Sequence, residues 1–326
     1  MSRIELSNVV IGDKISDGIY CLSAIKKNNN GYFVTLKDKS GELSCELANE
    51  RFSEEIASFV GGAVKVDFIV KNGLNTAPLG VIKRIAKADE GSYKPSELFV
   101  GLSKDKVVEY TNIIVQCIEQ IPNAGYRSLV KCILDDNMIA RLSSMPASLA
   151  YHGKYMGGAL ACTATVTKMV MQAAYQYCKL TNGLYTPMLD WSVLLTASLL
   201  QCVSVVDYFT SEMPFRKSDV GIERGEISLL QQRIEKTYFE HPEYITDIQL
   251  ARILNVLSAS VPMKSGIKST GTEGTILRQC RLLYEELDML DAEKAGYEVS
   301  EEENYFYDAK LRRNIKLPER EEKEVA

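Results

Sequence analysis

Two hydrophobic patterns divide the chain into a β-rich part and a helical part. In the first 90 residues, short runs rich in apolar residues are separated by turn clusters of Asn, Asp, Ser and Gly, and residues 63–70 alternate with a period of two. This pattern predicts five short strands, over residues 20–25, 32–37, 42–47, 63–70 and 80–87. From residue 103 onward the pattern is that of consecutive helices.

The stretch between the third and fourth strands predicts a short helix. Ser53 is a suitable N-cap, Glu54 and Glu55 carry negative charge in the first turn, and Gly61 and Gly62 end the segment. Three strands, a helix and two more strands is the order found in an OB-fold. Another small β-barrel is the alternative that the sequence leaves open.

The second part of the chain predicts an all-helical domain. Candidate helices cover residues 103–121, 124–134, 136–143, 153–181, 190–210, 219–238, 245–258 and 269–292, and prolines fall between them. The predicted fold class is therefore α+β multidomain. We expect a barrel domain at 1–90, a linker at 91–102, a helical domain at 103–295 and a charged tail at 296–326, mobile from about Arg312. The aromatic residues 305–307 are candidates for docking the tail onto a domain or another subunit.

Composition excludes several classes of protein. The formal net charge of −5 argues against a histone-like binder but leaves room for a local basic groove. With no run of 18 apolar residues and no signal-peptide pattern, we expect a cytoplasmic protein without membrane contact. The 8 cysteines include no C-x-x-C pair, so buried, reduced thiols are favoured over a zinc ribbon or redox motif.

Common catalytic motifs are missing from the sequence. It contains no G-x-S-x-G, no H-E-x-x-H and no G-x-x-x-x-G-K-[ST]. The only two histidines, His152 and His241, are too few for a multi-histidine metal site within one chain. His152 is interpreted as a helix-entry residue bonded to backbone, with a Cys–His dyad as the alternative, and His241 as a loop residue.

Six segments in order carry a resemblance to a known family. They are GYFVTLKDKSGELSCEL, YHGKYMGGALACT, LLTASLLQCVSVVDYF, GEISLL, ILNVLSAS and EGTILRQCRLLYEELD. From about Ser7 to Ala292 the chain resembles the YhaM-type 3′–5′ exoribonucleases, which join an OB-fold to an HD-type phosphohydrolase domain. The first segment resembles the family's strand–Asp-x-x-Gly–strand hairpin, and the others resemble its metal-binding helices.

The resemblance also implies that the metal ligands of the HD site have been lost. The family's ligand positions fall on His152, Cys162, Gln201, Cys202, Glu226, Ala259, Ser260 and Arg281, and His152 alone keeps a histidine. Cysteine favours zinc or copper over Mn or Mg, and Arg281 places a positive charge where a cation should bind. We therefore expect no catalytic residue, no metal and no cofactor.

Arg281 leaves two alternatives open. With Glu285 four residues on, it is expected to form a local helical ion pair worth roughly a few tenths of a kcal/mol. The alternative is that Arg281 points into the former pocket and binds an anion.

The barrel provides candidate nucleic-acid contacts. If Val34 and Leu36 face the barrel interior, then Phe33, Thr35 and Lys37 face outward, where Phe33 could stack on a base. The candidate binding residues are Lys26, Phe33, Thr35, Lys37, Lys71 and Arg84. Residues 1–90 hold 12 Lys and Arg against 12 Asp and Glu, so solvated lysines and a barrel-capping Phe33 remain the alternative.

Together these observations predict a non-catalytic OB/HD-like protein that binds single-stranded RNA or DNA and acts as a scaffold. A residual metal-dependent phosphodiesterase or 3′–5′ exoribonuclease is one alternative. A protein–protein adaptor, with protein partners or self-association, is the other.

Overall fold

The computed structural model describes residues 4–28, 31–48, 52–73, 77–89, 91–93, 98–149, 151–181, 189–210, 215–260, 270–295, 305–308 and 313–316. Residues 14–87 contain a closed five-stranded barrel, and a domain of helices follows from residue 104. The α+β arrangement predicted from the sequence is confirmed.

The barrel has the strand order expected of an OB-type fold. Its strands are β1 (Lys14–Asn28), β2 (Gly31–Asp38), β3 (Gly41–Leu47), β4 (Ala63–Asn72) and β5 (Pro78–Lys87). They follow the order β1-β2-β3-β5-β4, and β4 pairs back onto β1 to close the barrel. The β3–β5 pair is parallel and the other pairs are antiparallel.

Local sequence explains the ends of the helix inside the barrel domain. Helix α1 (Glu54–Ser58) begins after Ser53, whose Oγ accepts a 3.3 Å hydrogen bond from the backbone N–H of Ile56. Gly61 adopts a φ of +87°, which glycine tolerates best, and the chain then enters β4. Both predicted signals are confirmed.

One glycine permits the close approach of β3 and β5. Gly80 lies opposite Cys45 in the parallel pair, and a Cβ at Gly80 would collide with the Cys45 sulfur. A glycine is therefore required where the barrel closes around its core of buried aliphatic and aromatic side chains, among them Val34, Leu36 and Phe68.

The helical domain follows the predicted segments with two breaks. Its helices are α2 (Lys104–Glu119), α3 (Ala124–Ile133), α4 (Asp136–Leu142), α5 (Gly158–Thr181), α6 (Trp191–Leu200), α7 (Val205–Tyr208), α8 (Asp219–Arg224), α9 (Glu226–Glu240), α10 (Asp247–Ser260) and α11 (Thr272–Ala295). The predicted helix 190–210 is divided by turns at 201–204. The predicted helix 219–238 is divided at Gly225, which has a φ of +74°.

Helix α6 lies in the core of the helical domain, and α5, α10 and α11 pack against it. All of its residues except Trp191 are buried. The segment Trp191–Tyr208 has the length and hydropathy of a membrane-crossing helix, but 83% of it is buried inside the structure. A helix that is apolar on every side and packed by others is typical of a protein core.

A short hairpin lies in the tail. Strands β6 (Tyr305–Asp308) and β7 (Arg313–Lys316) pair antiparallel, with Phe306 opposite Ile315. The sequence suggested mobility from about Arg312, whereas residues 313–316 form a strand and Ile315 is buried. The aromatic side chains at 305–307 lie outside the part of the structure whose side chains are described.

Candidate functional site

Five of the eight positions to which the resemblance assigns metal ligands converge in the interior of the helical domain. His152 lies in the loop before α5, Cys162 on α5, Cys202 in the turn after α6, Glu226 at the start of α9 and Arg281 on α11. The guanidinium of Arg281 interacts electrostatically with Glu226 and with both thiols, and its charge also reaches His152. Segments that are far apart in the sequence therefore meet around one buried cation, which we call the Arg281 cluster.

Arg281 is held inside the domain by carboxylates. Its Nε donates a 2.8 Å hydrogen bond to Oε1 of Glu285, and the two side chains are only 13% and 16% exposed. Burial alone would lower the pKa of the guanidinium, but the charges of Glu226 and Glu285 outweigh it, so the pKa is raised and Arg281 stays protonated.

The predicted helical ion pair between Arg281 and Glu285 is confirmed, and the structure adds that it is buried. The guanidinium also interacts with Glu226, Cys162 and Cys202, which lie at positions that the resemblance assigns to metal ligands. Its neighbours there are carboxylates and thiols, so they satisfy the cation and leave it little excess charge for an external anion.

The two cysteines of the cluster interact directly. Both are free, fully buried and hydrogen-bonded to each other. That hydrogen bond and burial raise the pKa of Cys162. The pKa of Cys202 is lowered, mainly by the same hydrogen bond, with further help from Arg281 and the Thr163 hydroxyl. Cys202 is therefore the more acidic thiol of the pair.

His152 is buried beside Glu285. Its Nε2 lies 3.8 Å from Oε1 of Glu285, and its ring meets Tyr284 edge-on. Burial is the main cause that lowers its pKa, and Arg281 adds to the effect, while Glu285 and Asp288 oppose it. Within the described residues Nδ1 has no hydrogen-bond partner, so this nitrogen does not form the hydrogen bond to backbone predicted for His152.

The remaining three positions fill space in the core. Gln201 is buried, and its Nε2 donates a 3.1 Å hydrogen bond to the carbonyl of Ser198. Ser260 is buried and donates a 2.7 Å hydrogen bond to the carbonyl of Leu257, and Ala259 beside it is also buried. Gln201 and Ser260 therefore bond to their own helical segments.

The donor set does not fit the metal that the resemblance would imply. Across the described parts of the chain, no group of three or more His, Cys, Asp or Glu side chains could hold a metal ion. Among the positions where imidazole would bind, Glu226 carries a carboxylate that already interacts with Arg281, and the others carry Cys162, Gln201, Ala259 and Ser260. We therefore derive no metal-dependent step at this cluster.

Sequence reasoning missed two contacts at the edge of the cluster. Asp288 accepts a 2.7 Å hydrogen bond from the backbone N–H of Gly153, next to His152. Tyr284 is hydrogen-bonded to Tyr155. A signal was present, because Arg281, Tyr284 and Asp288 recur at the spacing of one helix face.

The outer face of the barrel has the predicted alternation. In β2, Val34 and Leu36 are fully buried, whereas Phe33, Thr35 and Lys37 are partly exposed. The interpretation of Phe33 as a residue on the outside of β2 is confirmed. However, Lys37 Nζ lies 2.7 Å from Oε1 of Glu42, so its charge is already paired across the hairpin.

Two of the basic residues that were predicted to bind nucleic acid lie elsewhere on the barrel. Lys71 is on β4 and Arg84 on β5, and neither strand neighbours β2. Arg84 forms ion pairs with Asp17 and, at 2.8 Å, with Asp67. The structure therefore brings Lys26, Phe33, Thr35 and Lys37 together, and it leaves Lys71 and Arg84 apart from them.

Asp38 explains the Asp-x-x-Gly hairpin in structural terms. Its buried carboxylate accepts hydrogen bonds from the backbone N–H groups of Ser40 at 2.7 Å and Gly41 at 3.1 Å. It also accepts a 3.1 Å bond from the backbone N–H of Leu6. The motif therefore closes the β2–β3 turn and anchors the segment before β1.

No protein-family model matches this chain, and no curated protein matches it significantly. The resemblance drawn from its segments therefore remains a prediction.

Proposed function

We propose that this is a cytoplasmic, non-catalytic relative of the OB-plus-HD exoribonucleases. Its barrel binds single-stranded nucleic acid, and its helical domain serves as a scaffold. The main support for the absence of catalysis is the buried guanidinium of Arg281. It lies among the positions that the resemblance assigns to metal ligands, and it interacts with Glu226, Glu285, Cys162 and Cys202.

Electrostatics supports the loss of metal chemistry. An HD-type centre uses imidazole and carboxylate ligands to hold a metal that generates hydroxide near neutral pH. A divalent ion about 4 Å from the guanidinium would be repelled by roughly 8 kcal/mol at an effective dielectric of about 20. Arg281 therefore replaces the positive charge of a metal without supplying its chemistry.

The convergence of distant segments supports the matching of these residues to the metal-ligand positions of the exoribonuclease family. His152, Cys162, Cys202, Glu226 and Arg281 were chosen from the sequence, and they meet in one cluster. An inactive site that keeps its geometry is what a degenerate enzyme domain retains when it is used for assembly.

The outer face of β1 and β2 supports nucleic-acid binding. Phe33 is partly exposed there and Lys26 lies directly opposite it, whereas Lys27 is exposed at the end of β1 in the row of Tyr32, on the other side of the strand. Within the described part of the chain, neither lysine has an ion-pair partner, in contrast to Lys37. A stacking ring directly opposite an exposed cation, with a second cation at the end of the strand, suits single-strand binding.

One observation favours a second candidate, a protein–protein adaptor. Residues 1–90 carry no net charge, whereas nonspecific binding of nucleic acid depends on positive potential. The same outer face would then bind a peptide or a protein partner.

Fluorescence anisotropy of the full-length protein with a labelled single strand tests the first candidate. Two phosphate contacts predict a salt slope of about −1.4, or roughly sevenfold weaker binding when salt rises from about 50 to about 200 mM. A duplex of the same sequence should bind less tightly. Failure to bind any single strand at the lower salt would favour the adaptor.

Elemental analysis tests the absence of catalysis. It should find no stoichiometric Mn, Fe, Ni or Zn, and about one metal per chain would contradict the proposal that the helical domain is non-catalytic.

A further inference from the structure

Phe33 lies between a cation and a carboxylate on the outer face of the barrel. The strand register places Phe33 directly opposite Lys26 of β1 and Glu46 of β3. Residues directly opposite in antiparallel strands project from the same face, with Cβ atoms about 4.5–5.5 Å apart. Lys26 and Glu46 are both exposed. A cation, an aromatic ring and a carboxylate therefore form one row across three strands.

The neighbouring rows leave Glu46 available to a ligand. In the next outward row, Thr35 is opposite Ala24 and Ser44, all of which are small. In the row beyond, Lys37 and Glu42 neutralise each other. In the described parts of the chain, Glu46 takes part in no ion pair or side-chain hydrogen bond. Among the described residues, its carboxylate therefore lies without a charged partner beside an aromatic ring and a small-residue surface.

Building on the proposed function, we propose that this row recognises guanine in a single strand. The base stacks on Phe33, its Watson–Crick edge meets Glu46, and Lys26 contacts a flanking phosphate. Guanine is the only standard base with two adjacent N–H donors on that edge, N1–H and the 2-amino group. A carboxylate, with two acceptor oxygens, pairs with both donors.

The Watson–Crick edges of the other bases pair unfavourably with a carboxylate at the same place. Adenine and cytosine each put one amino donor next to an unprotonated ring nitrogen, and uracil flanks its single N–H with two carbonyl oxygens. Each of these edges turns an acceptor toward the carboxylate, and this is unfavourable because neither partner can donate. Specificity therefore arises from repulsion of the wrong bases as well as from attraction of guanine.

Three matched probes test this assignment with the full-length protein. Each is a labelled 12-nucleotide oligouridine carrying guanosine, inosine or uridine at one central position. We expect the affinity to fall in that order, because inosine keeps N1–H but lacks the 2-amino group. The guanosine strand should bind from about 5-fold to about 150-fold more tightly than the uridine strand, the usual range for a bidentate contact.

Two variants with the same change of charge show whether Glu46 is responsible. Glu46→Gln should abolish the preference for guanosine, whereas Glu55→Gln, an exposed carboxylate on α1, should keep it. Thermal melting should be unchanged in both, because both residues are exposed.

The outcomes separate this inference from the proposed function. Equal binding of the guanosine and uridine strands by the wild type would overturn the inference and leave nucleic-acid binding in place. A guanosine preference that persists in Glu46→Gln would likewise overturn the role of Glu46. Failure of all three strands to bind would overturn both.

Discussion

Arg281 donates a hydrogen bond of 2.8 Å to Glu285 one helical turn away, inside the helical domain. The guanidinium also attracts Glu226 at the start of α9. One cation therefore balances two carboxylates on different helices. Such a cluster is weak evidence of high stability, because burying charges is costly, but removing one partner leaves the others uncompensated.

The first prediction concerns the cost of removing the cation from this cluster. Arg281→Met should lower the free energy of unfolding by about 3–5 kcal/mol, because Glu226 and Glu285 lose their shared cation. Denaturant unfolding measures the change. The exposed pair Lys236–Glu240 on α9 provides the control, since Lys236→Met should cost less than about 0.5 kcal/mol. Equal costs for the two substitutions would contradict a buried, charge-balancing role for Arg281.

The second prediction concerns restoring the metal site. Gln201→His with Cys202→Asp should produce neither Mn binding in calorimetry nor Mn-dependent trimming of RNA, because Arg281 still repels the ion and the other ligand positions remain altered. Adding Arg281→Asp should raise the affinity for Mn above that of the double variant. Clear trimming by the double variant would show that the alignment of the site is wrong, because Arg281 and the other altered positions would then not prevent metal binding.

Local signals explain which structural features could be predicted from the sequence. Alternation in β2 and the Ser53 cap depend on neighbouring residues, and both were predicted correctly. The Lys37–Glu42 pair could also have been predicted, because a tight turn from Asp38 to Gly41 fixes the register of the strands on either side.

The missed features depend on residues far away in the chain. The break at 201–204 lies in a segment that is apolar on all sides, so its periodicity gave no signal for the end of a helix. The spacing of Arg281 and Glu285 was visible, but their burial is set by packing among α5, α6, α9 and α11. Sequence spacing therefore predicted the ion pair, and only the tertiary structure shows its surroundings.

The third prediction concerns the dependence of stability on pH. Burial lowers the pKa of His152 in the folded protein, so the unfolded chain binds its proton more readily, from about pH 6.5 downward. The free energy of unfolding should therefore decrease as the pH drops from 7 to 5. Glu285 and Asp288 reduce the effect and Arg281 increases it.

Unfolding measured at pH 5 and pH 7 tests this prediction. His152→Gln removes the titrating group, so the pH-dependent loss of stability should shrink by on the order of 1 kcal/mol. His241→Gln, at the end of α9, is the matched substitution of the other histidine, and the pH dependence of His152→Gln is compared with it. An unchanged pH dependence in His152→Gln would show that the imidazole is protonated equally in both states.

The last prediction separates a binding role of Phe33 from a structural one. Phe33 is partly exposed outside the barrel core, so Phe33→Ala should change the free energy of unfolding by less than about 1 kcal/mol. If a base stacks on the ring, the same variant should bind a single strand more weakly by about 1–3 kcal/mol.

Lys26→Ala should lose less affinity and reduce the salt slope by about 0.7, the share of one phosphate. Lys37→Ala is the control, because Glu42 already neutralises Lys37 and its loss should leave the slope unchanged. A large drop in melting temperature for Phe33→Ala, together with no binding by the wild type, would instead make the ring a structural element and favour the adaptor.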